Sequence, residues 1–152
     1  MDLVDVIDTE ATNGTSRALT ILIVDDDPDM RYLARAVLES SGIRVADEAS
    51  DGSEALIKFR ALEPPPIPTV VLLDNQMPGP SGLEVATQIL ADTPSQLVVL
   101  FSAYLSDRII FVATRVGAAA CVSKVDALNL PDIIRAVVAS ASHPPGGPAD
   151  DR

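Results

Sequence analysis

The feature that most constrains the fold is a repeated change of period, in which a short apolar run is followed each time by a helical pattern. Five such runs, several rich in Val and Ile, are bounded by Asp, Gly, Pro or Ser and cover residues 19–24, 43–46, 69–73, 97–101 and 119–122. Because these runs are apolar throughout, they predict strands that are buried on both faces.

The segments after the apolar runs have apolar residues three and four positions apart, which puts one apolar stripe on each predicted helix. The first of these helices carries its stripe on Met30, Leu33, Ala34, Val37 and Leu38. Strands and helices that alternate in this way form a parallel sheet through right-handed crossovers, with helices on both sides. The sequence therefore predicts a doubly wound α/β fold, a three-layer sandwich around a five-stranded parallel sheet.

The two ends of the chain lack these periods. Residues 1–17 contain four acidic residues and predict a flexible acidic N-terminal arm, although docking of Leu3, Val4, Val6 and Ile7 on a surface stays open. Residues 143–152 are rich in Pro and Gly and predict a disordered C-terminal tail or the start of a linker. The remaining stretch, 18–142, has the size of one ordinary domain.

The charge of the chain excludes several classes of partner. Twenty-two acidic residues against eleven basic ones give a formal net charge of −11, which disfavours direct binding to nucleic acid phosphates or to an anionic membrane. The single cysteine, Cys121, has no intramolecular disulfide partner. With no membrane-length apolar run and an acidic N-terminus unlike a signal peptide, the sequence predicts a cytoplasmic protein.

Polar side chains follow four of the five predicted strands. Asp25 and Asp26 come after the first strand, Asp74 after the third, Ser102 after the fourth and Lys124 after the fifth. The carboxyl ends of parallel strands meet at one edge of the sheet, where ligands bind at the switch point of strand order. We therefore expect three carboxylates, one hydroxyl and one ammonium to lie close together.

Such a group of residues suits phosphate chemistry. Three neighbouring carboxylates repel one another unless cations neutralise them, and Mg²⁺ accepts one or two carboxylates, waters and a phosphoryl oxygen. Asp74 is the candidate nucleophile, attacking phosphorus to form an acyl phosphate. The ion, the Lys124 ammonium and the Ser102 hydroxyl would stabilise the developing charge.

Four stretches in this order resemble the receiver domain (CheY-like) of bacterial two-component response regulators, over about residues 18–140. They are ILIVDDDPDMR (21–31), VLLDNQMPGPSG (71–82), LFSA (100–103) and GAAACVSK (117–124). The resemblance implies the flavodoxin-like sheet order 2-1-3-4-5. It also implies that Asp25 and Asp26 form the acidic pair at Mg²⁺, Asp74 is the phosphoacceptor, the backbone carbonyl of Gln76 is a further metal ligand, Ser102 is the switch hydroxyl and Lys124 binds the phosphoryl group.

Two positions depart from the family's pattern. The family usually has an aromatic residue three positions before the lysine, where this chain has Cys121. Coupling between Asp74 and the distal face is therefore expected to be altered, weakened or routed through Tyr104. The family's lysine is usually followed by a proline in a cis bond, and here Val125 follows Lys124. Because a non-proline cis bond is costly, we expect a trans bond and a redirected loop.

The resemblance implies a receiver that accepts a phosphoryl group from a histidine kinase or phosphotransfer protein, and not an enzyme acting on an external substrate. The short segments on either side of it predict a stand-alone receiver with no output domain. It would signal to a downstream protein through the fourth helix, fifth strand and fifth helix, roughly residues 106–140; self-association into a homodimer stays open. An alternative is a phosphorylation-independent docking or dimerising module, which Cys121 and Val125 favour. An aspartate-nucleophile phosphatase is disfavoured because Gln76 stands where such enzymes need a second acid.

Overall fold

Five parallel strands form one sheet with the order β2-β1-β3-β4-β5, as predicted. The computed structural model describes residues 19–62 and 69–142, so the predicted arm (1–17) and tail (143–152) lie outside the described residues. The strands are β1 (Thr20–Val24), β2 (Arg44–Ala49), β3 (Val70–Leu73), β4 (Leu97–Ser102) and β5 (Ala120–Ser123).

A helix follows each strand along the chain, which is the arrangement predicted from the alternating periods. The helices are α1 (Pro28–Ser40), α2 (Gly52–Ala61), α3 (Gly82–Asp92), α4 (Asp107–Val116) and α5 (Leu130–Ser142), with a 3₁₀ segment (Lys124–Asn129) between β5 and α5. α1 begins as its sequence suggests, since the Asp27 side chain accepts a hydrogen bond from the backbone N–H of Asp29 and Pro28 takes the first helical position. Among the described helices, none has the length and hydropathy needed to cross a bilayer.

The core lies in two layers because alternate strand residues point to opposite faces of the sheet. One layer joins Ile21 and Ile23 to side chains of α1 and α5, such as Leu38 and Ile134. The other joins Leu22 and Val24 to apolar residues of α2 and α3. Both faces of the central strands are therefore buried, and the polar residues that follow those strands are presented at the rim.

The prediction that all strands are apolar throughout is wrong for β2. This strand runs beyond the predicted 43–46 segment to Ala49, and includes Asp47 and Glu48. Its pairing with β1 shifts register between Ile21 and Leu22, which leaves Ala46 as an extra residue. An edge strand tolerates polar side chains because part of it faces solvent, and charge on an edge also discourages pairing with other chains.

Candidate functional site

Two buried carboxylates lie at the carboxyl ends of the neighbouring strands β1 and β3. The Asp25 amide donates to the carbonyl of Ala49 (3.0 Å), and the Asp74 amide donates to the carbonyl of Val24 (2.9 Å), so both residues extend the hydrogen bonding of the sheet. Asp25 is 2% exposed and Asp74 is 4% exposed. They flank the point at which the strand order reverses, which is where ligands bind in open α/β sheets.

Lys124 joins these two carboxylates. Its Nζ lies 2.7 Å from Asp25 Oδ2 and 3.3 Å from Asp74 Oδ2. Lys124 begins the 3₁₀ segment directly after β5, and Ser123 caps that segment by accepting from the Val125 amide. Lys124 thus follows β5 directly, and its ammonium reaches the carboxylates at the ends of β1 and β3.

Asp26 completes a group of three carboxylates. One oxygen from each of Asp25, Asp26 and Asp74 lies within 4.8 Å of the others, and Asp26 is exposed where its two neighbours are buried. One ammonium therefore faces three carboxylates, of which one is open to solvent. This excess of negative charge favours the binding of a cation.

Burial and charge shift the proton affinities of this group. Burial, reinforced by the negative charge of Asp25, raises the pKa of Asp74 above its ordinary value of 3.8, although Lys124 and the Gln76 amide act in the opposite direction. Burial lowers the pKa of Lys124, but hydrogen bonds and charge interactions with Asp25 and Asp74 outweigh it and raise that pKa overall. The surroundings of Asp74 thus disfavour its ionised form, and an additional cation at the site would stabilise that form.

The loop after Asp74 is held close to the start of α3. The Gln76 amide donates to Asp74 Oδ1 (3.3 Å), and Asn75 Oδ1 accepts from the Leu83 amide (3.0 Å). A Cβ on Gly82 would collide with the Asp74 carbonyl oxygen, so this close approach requires glycine. Gln76 therefore lies beside the acceptor carboxylate, and its predicted metal-ligand role stays a prediction.

The remaining predicted residues lie on the far strands. Ser102 is fully buried at the end of β4, pairs with Ser123 on β5, and accepts a hydrogen bond from the Tyr104 amide (3.4 Å). Cys121 is half-buried on β5, and burial raises the pKa of its thiol. The Tyr104 side chain is 64% exposed. The switch roles assigned to Cys121 and Tyr104 stay predictions.

Sequence inspection missed one side chain at the site. Arg31 of α1 donates through Nη1 to the Asp25 carbonyl (2.7 Å) and through Nε to Glu48 Oε1 on β2 (3.2 Å). The sequence did not predict these contacts because Glu48 lies in the part of β2 that the apolar pattern did not include. The contact from Arg31 to a residue six positions earlier also does not follow from the spacing of apolar residues.

The family model described as the response regulator receiver domain matches residues 21–137. The chain belongs to this family. It is a receiver domain of CheY-like response regulators, and the predicted resemblance and fold class are confirmed.

Individual relatives agree with this assignment. The chain is 36% identical over 100 residues to the chemotaxis protein CheY of Listeria monocytogenes, covering 66% of this chain and 81% of that protein. It is 38% identical over 86 residues to a protein-glutamate methylesterase/protein-glutamine glutaminase of Hahella chejuensis, covering 57% of this chain and 24% of that protein. This receiver therefore spans about a quarter of that enzyme, whose name describes a much longer chain.

Solved structures give the same fold. CheY in the CheX-CheY-BeF3-Mg²⁺ complex of Borrelia burgdorferi is similar with a TM-score of 0.75 at 26% identity, covering 81% of this chain and 91% of that one. The signal receiver domain of NarL from Mycobacterium tuberculosis has a TM-score of 0.72 at 30% identity, covering 84% and 99% of the two chains.

Receiver domains bind Mg²⁺ at an acidic pocket, and the residues of this chain fit that ion. Mg²⁺ is a hard cation that takes oxygen ligands at about 2.1 Å, so ligands on opposite sides of its octahedron lie roughly 4.2 Å apart. One oxygen from each of the three carboxylates lies within 4.8 Å of the others, which is near that span, and the exposed Asp26 opens the group to solvent.

Proposed function

We propose that this receiver accepts a phosphoryl group on Asp74 from the phosphohistidine of a histidine kinase or phosphotransfer protein, and signals through contact with another protein. The observation that carries the proposal is the placement of Asp74. Its carboxylate is buried beside Asp25, with one oxygen against the Lys124 ammonium and the other against the Gln76 amide.

The proposed step is a displacement at phosphorus. A carboxylate oxygen of Asp74 attacks, a P–O bond forms, and the P–N bond to the donor histidine breaks, with the imidazole taking up a proton. Mg²⁺, held by Asp25, Asp26 and Asp74 with the predicted carbonyl of Gln76, would neutralise charge on the phosphoryl oxygens. Lys124 stands within ion-pair distance of the attacking group and would bind a phosphoryl oxygen in the product.

Phosphorylation would change the interactions at the sheet edge. In the described structure, Lys124 bridges Asp25 and Asp74, and the Ser102 hydroxyl accepts from the Tyr104 amide. A new dianionic group on Asp74 would compete for the Lys124 ammonium and the Ser102 hydroxyl, which lie at the starts of the β5–α5 and β4–α4 connections. These competing contacts would shift the β4–α4 and β5–α5 loops between two arrangements.

The proposed signalling surface consists of α4, β5 and α5, roughly residues 106–140. Large apolar side chains are exposed there: Ile110, Phe111, Val125 and Leu128 are between 40% and 88% exposed. Phe111 lies under the guanidinium of Arg115, 5.7 Å from ring centroid to Cζ. Exposed apolar and aromatic groups of this kind are enriched at protein interfaces, and a homodimer through this surface stays a prediction.

The direct test is to incubate the purified protein with acetyl phosphate and Mg²⁺ and to map any modified side chain by mass spectrometry. We expect one phosphoryl group on Asp74, no incorporation in Asp74→Asn, and wild-type incorporation in Asp92→Asn. Asp92 is a suitable control because its carboxylate is exposed on α3 and pairs with Arg60 (3.0 Å), away from the sheet edge.

Two results would contradict the proposal. Undiminished incorporation in Asp74→Asn would remove Asp74 from the role of acceptor. A folded wild-type protein that takes no phosphoryl group from acetyl phosphate or from any phosphohistidine donor would favour the phosphorylation-independent docking module. Action without a covalently attached output domain and a cytoplasmic location both stay predictions.

A further inference from the structure

Asp25 is held at four atoms. Two of its partners are backbone groups, and the other two are the side chains of Lys124 and Arg31, of which only Lys124 has a role in the proposed chemistry. Its amide donates to β2, Oδ1 accepts from the Asp27 amide (2.9 Å), and Oδ2 pairs with Lys124. Its carbonyl oxygen, at the point where the chain leaves the sheet, accepts from Arg31 Nη1 (2.7 Å). Without Arg31, a carbonyl in a residue that is 2% exposed would lose this partner.

Arg31 is itself fixed from the opposite side. Its Nε donates to Glu48 Oε1, and the second oxygen of Glu48 binds Arg35 Nε (2.6 Å). The Glu48 backbone carbonyl accepts from Lys58 Nζ (2.6 Å). Three cationic side chains on α1 and α2 thus hold Glu48 in place. Glu48 in turn holds the Arg31 guanidinium where its Nη1 contacts the Asp25 carbonyl.

We infer that Arg31, braced by Glu48, is a positioning residue that holds the Asp25–Asp26 turn so that the exposed Asp26 carboxylate meets Asp25 and Asp74. This inference rests on the proposed function and deepens it. Partners of metal ligands typically change metal affinity by about 10- to 100-fold when they are removed. Asp26 follows the braced carbonyl directly, so any movement of that peptide unit moves its carboxylate.

The sign of the effect separates positioning from charge. Arg31 is a cation near the acidic group, and loss of a nearby cation strengthens the binding of Mg²⁺ by simple electrostatics. Loss of positioning weakens it. A variant without the guanidinium that binds Mg²⁺ less tightly therefore reports geometry, because the change in charge acts in the opposite direction.

Arg35 supplies a matched control. It lies one turn along the same helix and pairs with the same Glu48, but its second partner is Glu39 (2.8 Å) and not the Asp25 carbonyl. Arg31→Met and Arg35→Met remove the same charge from the same partner and keep the apolar stem of each side chain. Only the first removes the hydrogen bond to the site.

The experiment is a Mg²⁺ titration of the full chain by calorimetry, with amide hydrogen exchange measured without Mg²⁺. We expect Arg31→Met to weaken Mg²⁺ binding about 10- to 100-fold and to speed exchange of the Asp27 amide, and we expect Arg35→Met to change neither. If Arg31→Met does not fold, Arg31→Lys takes its place, since it keeps the positive charge and removes the planar guanidinium that joins Glu48 to the Asp25 carbonyl, with a smaller loss expected.

The outcomes are distinct. Unchanged or tighter Mg²⁺ binding in Arg31→Met, or equal weakening in Arg31→Met and Arg35→Met, would overturn the inference. If the folded wild-type protein binds no Mg²⁺, the metal role in the proposed function fails. The metal-free exchange rate of the Asp27 amide still decides whether Arg31 holds the turn, with unchanged exchange in Arg31→Met counting against it.

Discussion

The molecule carries two clusters of charge that differ in how they are balanced. At the carboxyl edge of the sheet, the carboxylates of Asp25, Asp26 and Asp74 face the single ammonium of Lys124. Beside β2, three cations of α1 and α2 and four carboxylates form an ion-pair network that is open to solvent: Arg31, Arg35 and Lys58 with Glu39, Asp47, Glu48 and Glu54.

The difference shows what each cluster contributes. The ion-pair network pairs nearly every charge with an opposite one, and its side chains are partly hydrated, so each pair adds little to stability. The sheet edge buries two carboxylates with an excess of negative charge, which is costly unless a cation compensates it. Uncompensated buried charge indicates a binding site, whereas balanced exposed charge indicates a solvated surface.

The largest expected effect separates the two lysines. Lys124→Met leaves Asp25 and Asp74 buried without their ammonium, and breaking a buried pair in this way costs about 3–5 kcal/mol. Lys58→Met removes a lysine of the ion-pair network whose side chain is 32% exposed, and exposed pairs contribute about 0–1 kcal/mol. The measurement is the free energy of unfolding in urea, at neutral pH and without Mg²⁺; equal losses in the two variants would erase the proposed difference.

Both the fold and most of the sheet edge could be predicted from sequence, for a physical reason. Buried parallel strands are continuous apolar runs, and the residue after each run falls at the same rim, so Asp25, Asp74 and Lys124 could be placed together without coordinates. β2 could be only partly predicted, because Asp47 and Glu48 interrupt its apolar run on an edge strand. The Arg31 contact was beyond reach because it depends on that strand and on a side-chain rotamer.

The second expected effect concerns Mg²⁺ and rests on the proposed function. A ligand bound only by the folded state, present at a hundred times its Kd, raises the free energy of unfolding by about 2.7 kcal/mol. We expect Asp26→Asn to lose most of that rise and Asp29→Asn, an exposed acid in the first turn of α1, to retain it. Thermal denaturation with and without Mg²⁺ measures the rise, and full stabilisation of Asp26→Asn would exclude Asp26 as a ligand.

The smallest expected effect compares one carboxylate from each cluster as pH changes. The folded-state pKa of Asp74 is raised above 3.8, chiefly by burial. The native protein therefore holds that proton more tightly than the unfolded chain does, and stability falls as pH rises through the window from 3.8 to the folded value. The pKa of Glu54 is instead lowered from 4.5 to about 2, chiefly by the Ser50 amide and hydroxyl. Its contribution to stability is present above 4.5 and is lost as pH falls toward 2.

The two substitutions should consequently have opposite signs at neutral pH in the absence of Mg²⁺. Asp74→Asn removes an ionised group that burial disfavours, so the variant should be more stable than the wild type. Glu54→Gln removes a favoured ionised group, so that variant should be slightly less stable, because Glu54 is largely hydrated. Urea midpoints measured from neutral to acid pH should converge on the wild-type values for both variants. A loss of stability in Asp74→Asn at neutral pH would mean that Lys124 already neutralises the sheet edge, and that no further cation is needed there.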